Sequence, residues 1–311
     1  MAEKDLTEKY LEGFRDVFAD IHNVLLFREE LIREEELEDG STESTYKAEE
    51  GNVRNQFRDT SKYYRNCQYK LALLGIENQS KVEKDMPIRI MGYDYTAYRA
   101  QIDAEEKRRY PVITTVLNFS DTEWESPLSL YDILDIPEKL QPYVNDYKIH
   151  VFNVAFLPKE TRNKFKSDFK IVADFFTEKR LGIYNPAEHK EQIKHVEAVL
   201  NMIRVFTNDV TYDKIELEII EKSKKGEVIT MCTFAEEMTN KGIKIGEARG
   251  IEIGEARGIE IGEARGIEIG EARGMAQEKI NVARNLLDIL SDEVIAEKVE
   301  LDIEVVRSLR S

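Results

Sequence analysis

The sequence predicts an α/β domain over roughly its first 215 residues, and three observations carry that expectation. A helix-period apolar segment comes first, short buried-strand runs follow, and further helical patterns lie between them. From Thr7 to Leu26, the residues Tyr10, Leu11, Phe14, Val17, Phe18, Ile21, Val24 and Leu25 recur at helical spacing, which predicts an amphipathic first helix packed on a sheet. The acidic stretch from Glu29 to Glu50, with Gly40 and a Ser/Thr cluster, reads as a loop. Leu71 to Ile76 is a short apolar run with polar flanks that suits a buried strand, although periodicity alone leaves helix open. A helix is expected from about Pro87 to Ala104, since proline is tolerated in a first turn and Ile88, Met91, Tyr95 and Tyr98 share one face. The runs Pro111 to Phe119 and Ile149 to Leu157 are rich in β-branched and aromatic residues and read as strands, joined by a turn-rich connection holding Trp124, Pro127 and Leu130. Helical spacing returns from Pro186 to Thr207 and from Asp213 to Glu221.

Composition narrows the class. The chain has 311 residues, 34% charged and 41% hydrophobic, which suits a soluble globular protein and excludes a disordered one. Cys67 and Cys232 are far apart and lack companions at zinc-ligand spacing, so both are expected to be reduced thiols. No charged-then-apolar leader opens the sequence, and no apolar run approaches the roughly 18 residues that span a bilayer, so a cytoplasmic location is expected. A net charge of −16 argues against a protein that coats nucleic acid by electrostatics alone. Locally the balance differs: Arg54, Arg58, Lys62, Arg65, Lys70, Lys81, Lys84, Arg89 and Arg99 outnumber the acids around them.

Within that stretch, Asp59 follows a basic run, and Glu77 closes an apolar one with Gln79 two residues later. An apolar strand ending in a carboxylate, with an amide on the same face, has the ingredients of a metal site at a sheet edge. Asp59 and Glu77 would offer hard oxygens to Mg²⁺, Gln79 would position a water, and Lys81, Lys84 or Arg89 would anchor flanking phosphates. The alternative is that both acids are ordinary surface carboxylates. His22, His150, His189 and His195 are scattered, and no Ser or Cys stands in a nucleophile-elbow context. Tyr93, Tyr95 and Tyr98 read mainly as packing residues, with base stacking as the competing role.

Two blocks, RDTSKYYRNCQYKLALLGIENQSKVEKDMPIRIMGYDYTAY (Arg58 to Tyr98) and PVITTVLNFSDTEWESPLSLYDILDI (Pro111 to Ile136), resemble the recombination-promoting nuclease/putative transposase (Rpn) family. The resemblance spans roughly residues 5 to 215 and includes the first-helix pattern FRDVFADIHNVLLF. It implies the PD-(D/E)XK nuclease superfamily, hence a restriction-endonuclease-like core with a mixed sheet flanked by helices. On that basis Asp59 corresponds to the first core carboxylate, and Glu77 with Gln79 to an E-x-Q in place of the more usual (D/E)-x-K. The resemblance makes Asp59, Glu77 and Gln79 catalytic, with Asp59 and Glu77 holding Mg²⁺. Arg58, Lys81, Lys84 and Arg89 are the expected DNA contacts. Glu12 or Asp16 could supply the additional acid that superfamily members often carry on the first helix. Gln79 is a departure: it orients by hydrogen bonding but adds no positive charge, so rate or metal dependence should differ.

The last third has another organisation. After the nuclease-like domain (1–215) and a helical linker (216–241), an octapeptide repeat, GEARGIEI, fills 242–274, and a small tail resembling a helix-turn-helix fills 275–311. Glycine recurs at every fourth position from Gly242 to Gly274, each costing a helix about 1 kcal/mol relative to alanine. The repeat is thus either a helical, self-associating spacer or a flexible one. In the tail, Glu300 stands where many such turns use glycine, and Glu304, Arg307 and Arg310 are the chief polar offerings of the last helix, so a capping or oligomerisation role competes with DNA reading. Two functions are expected to compete: a Mg²⁺-dependent DNA endonuclease tied to recombination, mobile elements or defence, as the resemblance implies, and a catalytically silent nuclease-fold protein that self-assembles through its repeats.

Overall fold

The computed structural model describes residues 2–40, 43–47, 53–57, 59–66, 69–105, 107–207 and 213–310. It divides into two compact units, Met1–Met238 and Thr239–Ser311. The chain begins with α1 (Ala2–Glu12) and α2 (Arg15–Ile21), followed by β1 (Leu37–Asp39), the hairpin β2 (Glu43–Lys47) and β3 (Val53–Phe57), then β4 (Thr60–Arg65) and β5 (Lys70–Gln79). There follow α3 (Met86–Asp103), β6 (Val112–Asn118), α4 (Leu130–Ile133), β7 (His150–Asn153), α5 (Lys159–Arg162), α6 (Phe169–Leu181), α7 (Val196–Thr207) and α8 (Asp213–Lys224). The remaining helices are α9 (Met231–Leu286), α10 (Asp292–Val299) and α11 (Ile303–Arg310).

A five-stranded mixed sheet in the order β1-β4-β5-β6-β7 organises the first unit. β5 is central, antiparallel to β4 and parallel to β6, and α3 makes the β5-to-β6 crossover that a parallel pair requires. Covered on both faces, β5 carries apolar residues on both, and for that reason it reads as a nearly continuous apolar run. Ala72, Leu74 and Ile76 face a core shared with Leu11, Phe18, Ile21, Phe169, Phe175, Val199 and Ile203 from α1, α2, α6 and α7. Leu73 packs on the other side with Ala97, Tyr110 and Val112, and Met86, Ile90 and Tyr93 of α3 join Val116 and Trp124 beside it. Full burial of each large side chain contributes roughly 1.5–3 kcal/mol. The main core extends to Ile215, Ile219, Ile229, Met231 and Phe234.

Four local expectations are corrected. The first helix is interrupted: Gly13 closes the last turn of α1 through its N–H to Lys9 O at 2.9 Å, and Phe14 is extended at φ −71°, ψ 133° before α2 starts. Glycine's weak helix propensity favours the break there, and the tail of the segment, His22–Phe27, widens into a π-helical turn. The acidic stretch is not all loop, since Leu37–Asp39 pairs with β4 as an edge strand. The last strand is short, because Val154–Phe156 turn into a 3₁₀ segment with Val154 and Ala155 buried. On α3, Ile88, Met91, Tyr95 and Tyr98 do share a face, but it is the exposed one, and Met86, Ile90, Tyr93, Ala97 and Gln101 make the buried face.

In the second unit, Ala283 from the end of α9 packs with Ile295, Val299 and Val306 of α10 and α11. Glu300, between α10 and α11, adopts a left-handed conformation with φ 57°. The repeat is helical, its isoleucines from Ile243 to Ile269 are exposed, and a Cβ built on any glycine from Gly242 to Gly274 would meet nothing within 4 Å among the described residues. Among the described residues no helix is long and apolar enough to cross a membrane.

Candidate active site

Strand register brings the two acids together. Thr60 of β4 pairs with Ile76 of β5, so Asp59, one residue before β4, arrives beside Glu77. Asn78 N donates to Asp59 Oδ2 at 2.7 Å, and Lys9 of α1 pairs with Asp59 Oδ1 at 2.8 Å. Glu77 lies two residues from the carboxyl end of β5, the end of a parallel strand at which open α/β sheets commonly bind ligands.

Side-chain alternation divides the surroundings of β5. Glu77 and Gln79 share the α3 side, where Gln79 Nε2 donates to Glu77 Oε1 at 3.4 Å and Arg89 Nη2 donates to the same oxygen. Arg89 also donates from Nε to the Tyr93 hydroxyl at 2.8 Å and from Nη1 to Glu83 Oε2 at 2.9 Å. Asn78 points the other way, and its Nδ2 donates to Glu12 Oε2 at 2.9 Å, with Thr60 Oγ1 a further donor at 3.5 Å. Glu12 and Glu77 therefore approach from opposite faces of one strand, and the negative charge of Asp59 acts on both.

Both buried acids are short of compensation. Glu77 is 0% exposed, with Oε2 lacking a hydrogen-bond partner, and Glu12 is 1% exposed, with Oε1 in the same condition. Burial pushes the Glu77 carboxyl up to about 8, the Asp59 charge adds to the rise, and Arg89 and Lys9 oppose it. Burial likewise raises Glu12 well above the usual carboxylate range, against the hydrogen bond from Asn78. A buried carboxylate oxygen without a donor is costly unless a proton or cation takes the position.

Among the described residues no three His, Cys, Asp or Glu side chains converge closely enough to cage a metal ion. Asp59 and Glu77 are neighbours across the β4–β5 register, and one or two carboxylates plus retained waters is the usual provision for Mg²⁺. The orphaned Glu77 Oε2 gives the chemistry of that pair a reason to accept a cation. Asp16 is elsewhere, bound to Lys194 at 2.8 Å and His195 at 2.9 Å.

The expected phosphate contacts scatter. Lys81 and Lys84 are exposed on the turn after β5, Arg89 is engaged with Glu77, and Arg58, like Cys67, lies outside the described residues. The linear basic run does not form one patch: Lys62 pairs with Asp39 at 2.7 Å, Arg65 with Glu38, and Arg99 with Asp103 at 3.2 Å. Lys9 and Asn78 enter the site without a sequence expectation behind them, and Tyr93, expected as a packing or base-stacking residue, enters it by accepting from Arg89. The available signals were Lys9 and Glu12 at i, i+3 on α1, and an amide inside the E-x-Q.

Residues 68–211 match a family model described as "Putative transposase, YhgA-like". The match contains Glu77, Gln79, Lys81, Lys84 and Arg89 and begins after Asp59. Over that stretch the resemblance to the recombination-promoting nuclease/putative transposase family holds. No curated protein and no solved structure matches the chain.

Proposed function

We propose that this chain, whose residues 68–211 carry the YhgA-like transposase pattern, is a Mg²⁺-dependent DNA endonuclease acting in connection with mobile elements. The observation that carries the reading is Glu77: a fully buried carboxylate with one oxygen unbonded, beside Asp59, at the carboxyl end of the central strand. Asp59 and Glu77 would hold the ion. Bound there, Mg²⁺ supplies a more acidic water and neutralises charge that develops on the phosphate.

The remaining tasks fall to the chain's own groups. Gln79, on the face of Glu77, orients the attacking water through its amide and contributes no charge, a weaker electrostatic aid than a lysine. Lys81 and Lys84, exposed beside the strand end, hold flanking phosphates as point charges. The buried flank of β5 keeps Asp59 in place through Asn78 N.

Plasmid DNA incubated with Mg²⁺ tests the reading. Nicking should disappear with chelator and with Asp59→Ala or Glu77→Ala, and unchanged cleavage in both variants would sink the assignment.

A second element favours assembly. A Cβ built on the repeat glycines meets nothing within 4 Å among the described residues, and the isoleucines between them are exposed, so the segment suits close pairing with a second copy. In this reading the protein is a homo-oligomer joined through residues 242–274. If the catalytic site proves silent, this assembly role stands as the chain's function.

A further inference from the structure

We infer that Arg89 is an exchanging residue, held by Glu77 in the free protein and transferred to a DNA phosphate when a divalent cation occupies Glu77. The inference rests on the nuclease reading and adds a coupling between cation and DNA. Arg89 presents three hydrogen bonds from one planar fork, to Glu77, Glu83 and Tyr93. Only the first involves a proposed cation ligand. Tyr93 lies one turn further along α3, so the Nε anchor stays on the same helix, and Glu83 holds Nη1 from the preceding turn.

Glu77 Oε1 already receives Arg89 and Gln79. With a dication held at Asp59 and Glu77, the Arg89 guanidinium would meet like charge, and Nη2 would lose part of the acceptor strength of Glu77 Oε1. The Arg89 side chain is 38% exposed, against 1% for Glu77, so it reaches solvent at a point where its former partner does not. A phosphate oxygen entering there replaces the carboxylate oxygen one for one, with the Tyr93 and Glu83 anchors retained. Guanidinium suits the exchange, because its fixed fork donates to carboxylate and phosphate with the same geometry.

Reciprocal linkage follows: cation binding strengthens DNA binding, and DNA strengthens cation binding by the same factor. The experiment titrates Ca²⁺ into the full chain by calorimetry, alone and with a saturating short DNA duplex, for the wild type, Arg89→Gln and Arg89→Lys. In the wild type the duplex should tighten Ca²⁺ binding about tenfold, within the usual range of coupling between sites. Measured at alkaline pH, where no proton competes for Glu77, Arg89→Gln should bind Ca²⁺ alone as tightly or more tightly, since a competitor for Glu77 has gone, while the coupling falls to near unity. Arg89→Lys should keep part of the coupling.

Two results would overturn the exchange. Weaker Ca²⁺ binding by Arg89→Gln alone, with unchanged circular dichroism, would make Arg89 a fixed prop for Glu77. Undiminished coupling in Arg89→Gln would mean that the cation acts by bulk neutralisation. A wild type that takes up no Ca²⁺ or Mg²⁺ fails before DNA is added and overturns the metal site itself, and the exchange with it.

Discussion

Asn78 N donates to Asp59 Oδ2 at 2.7 Å, so the residue between Glu77 and Gln79 fastens the second acid to the strand that carries the first. The proposed ligand is thus also a structural acceptor. Substitutions at Asp59 separate the two roles. Asp59→Asn keeps an oxygen for Asn78 N and removes the charge, so stability should change by less than about 1 kcal/mol while cleavage falls at least about a hundredfold. Asp59→Ala leaves that N–H without its acceptor and should cost a further 1–3 kcal/mol, roughly, in urea denaturation. Equal stability of the two variants would contradict the structural role.

Glu77 predicts an unusual pH dependence. Its folded-state value is about 8 against an ordinary 4.5, so the folded protein binds the proton more tightly than the unfolded chain does. The associated stability is complete below the ordinary value and is lost as pH rises through about 8. Glu77→Gln removes this dependence. Its stability relative to wild type should improve as pH rises across that window, by roughly 1–3 kcal/mol on the alkaline side, while cleavage is abolished. Denaturation midpoints of both proteins across the window check the sign. A gap that closes with rising pH would be evidence against a raised Glu77.

A cation that occupies Glu77 must displace that proton, so Mg²⁺ should bind more tightly as pH approaches and passes about 8. It should also stabilise the fold, by about 2.7 kcal/mol at a hundredfold excess over Kd. Thermal melts with Mg²⁺ and with chelator, at mildly acidic and mildly alkaline pH, measure both effects. An identical Mg²⁺ response in Glu77→Gln would exclude Glu77 as a ligand.

What the sequence made legible follows the strength of the local signal. β5 could be read because a strand buried on both faces must be apolar along its length, and the shared face of Glu77 and Gln79 followed from the spacing of E-x-Q. β1 and β4 were illegible by the same physics: Leu37–Asp39 and Thr60–Arg65 are short and mostly polar, and pairing rather than hydrophobicity defines them. α3 was found, but apolar residues line two of its faces, and periodicity does not say which one meets the sheet. At the site, Glu77 stood out as an acid closing a strand and Asp59 through its basic flank and the family resemblance, whereas Lys9 comes from α1 across a long sequence separation that no local pattern encodes.

Glu300 is strained in a way glycine would relieve. It ends α10 in the left-handed region at φ 57°, where a β-carbon costs about 1 kcal/mol, and its ion pair with Lys279 at 2.8 Å is solvent-exposed and worth little. Glu300→Gly should therefore raise the stability of the tail by about 0.5–1 kcal/mol, allowing for the added freedom of the unfolded chain. Hydrogen exchange at Val306 and its neighbours would report it. Faster exchange in the variant would show that the ion pair outweighs the strain.

The repeat gives opposite expectations for a lone helix and a paired one. A Cβ at Gly250, Gly254, Gly258 or Gly262 meets nothing within 4 Å among the described residues, so alanine at all four should strengthen the isolated helix by about 1 kcal/mol per site. Close pairing through a glycine groove has the reverse requirement, because added methyl groups push two backbones apart. The fourfold Gly→Ala variant should then show greater helicity by circular dichroism in dilute solution together with a smaller sedimenting species than the wild type. Because glycine at every fourth residue advances by about 40° per step around a 3.6-residue helix, the groove winds, and a partner can follow only a few consecutive glycines before the contact turns away. Removing one octapeptide should accordingly weaken association modestly, whereas deleting residues 242–274 should abolish it. An oligomeric state unchanged by both the alanines and the deletion would place the interface outside the repeat.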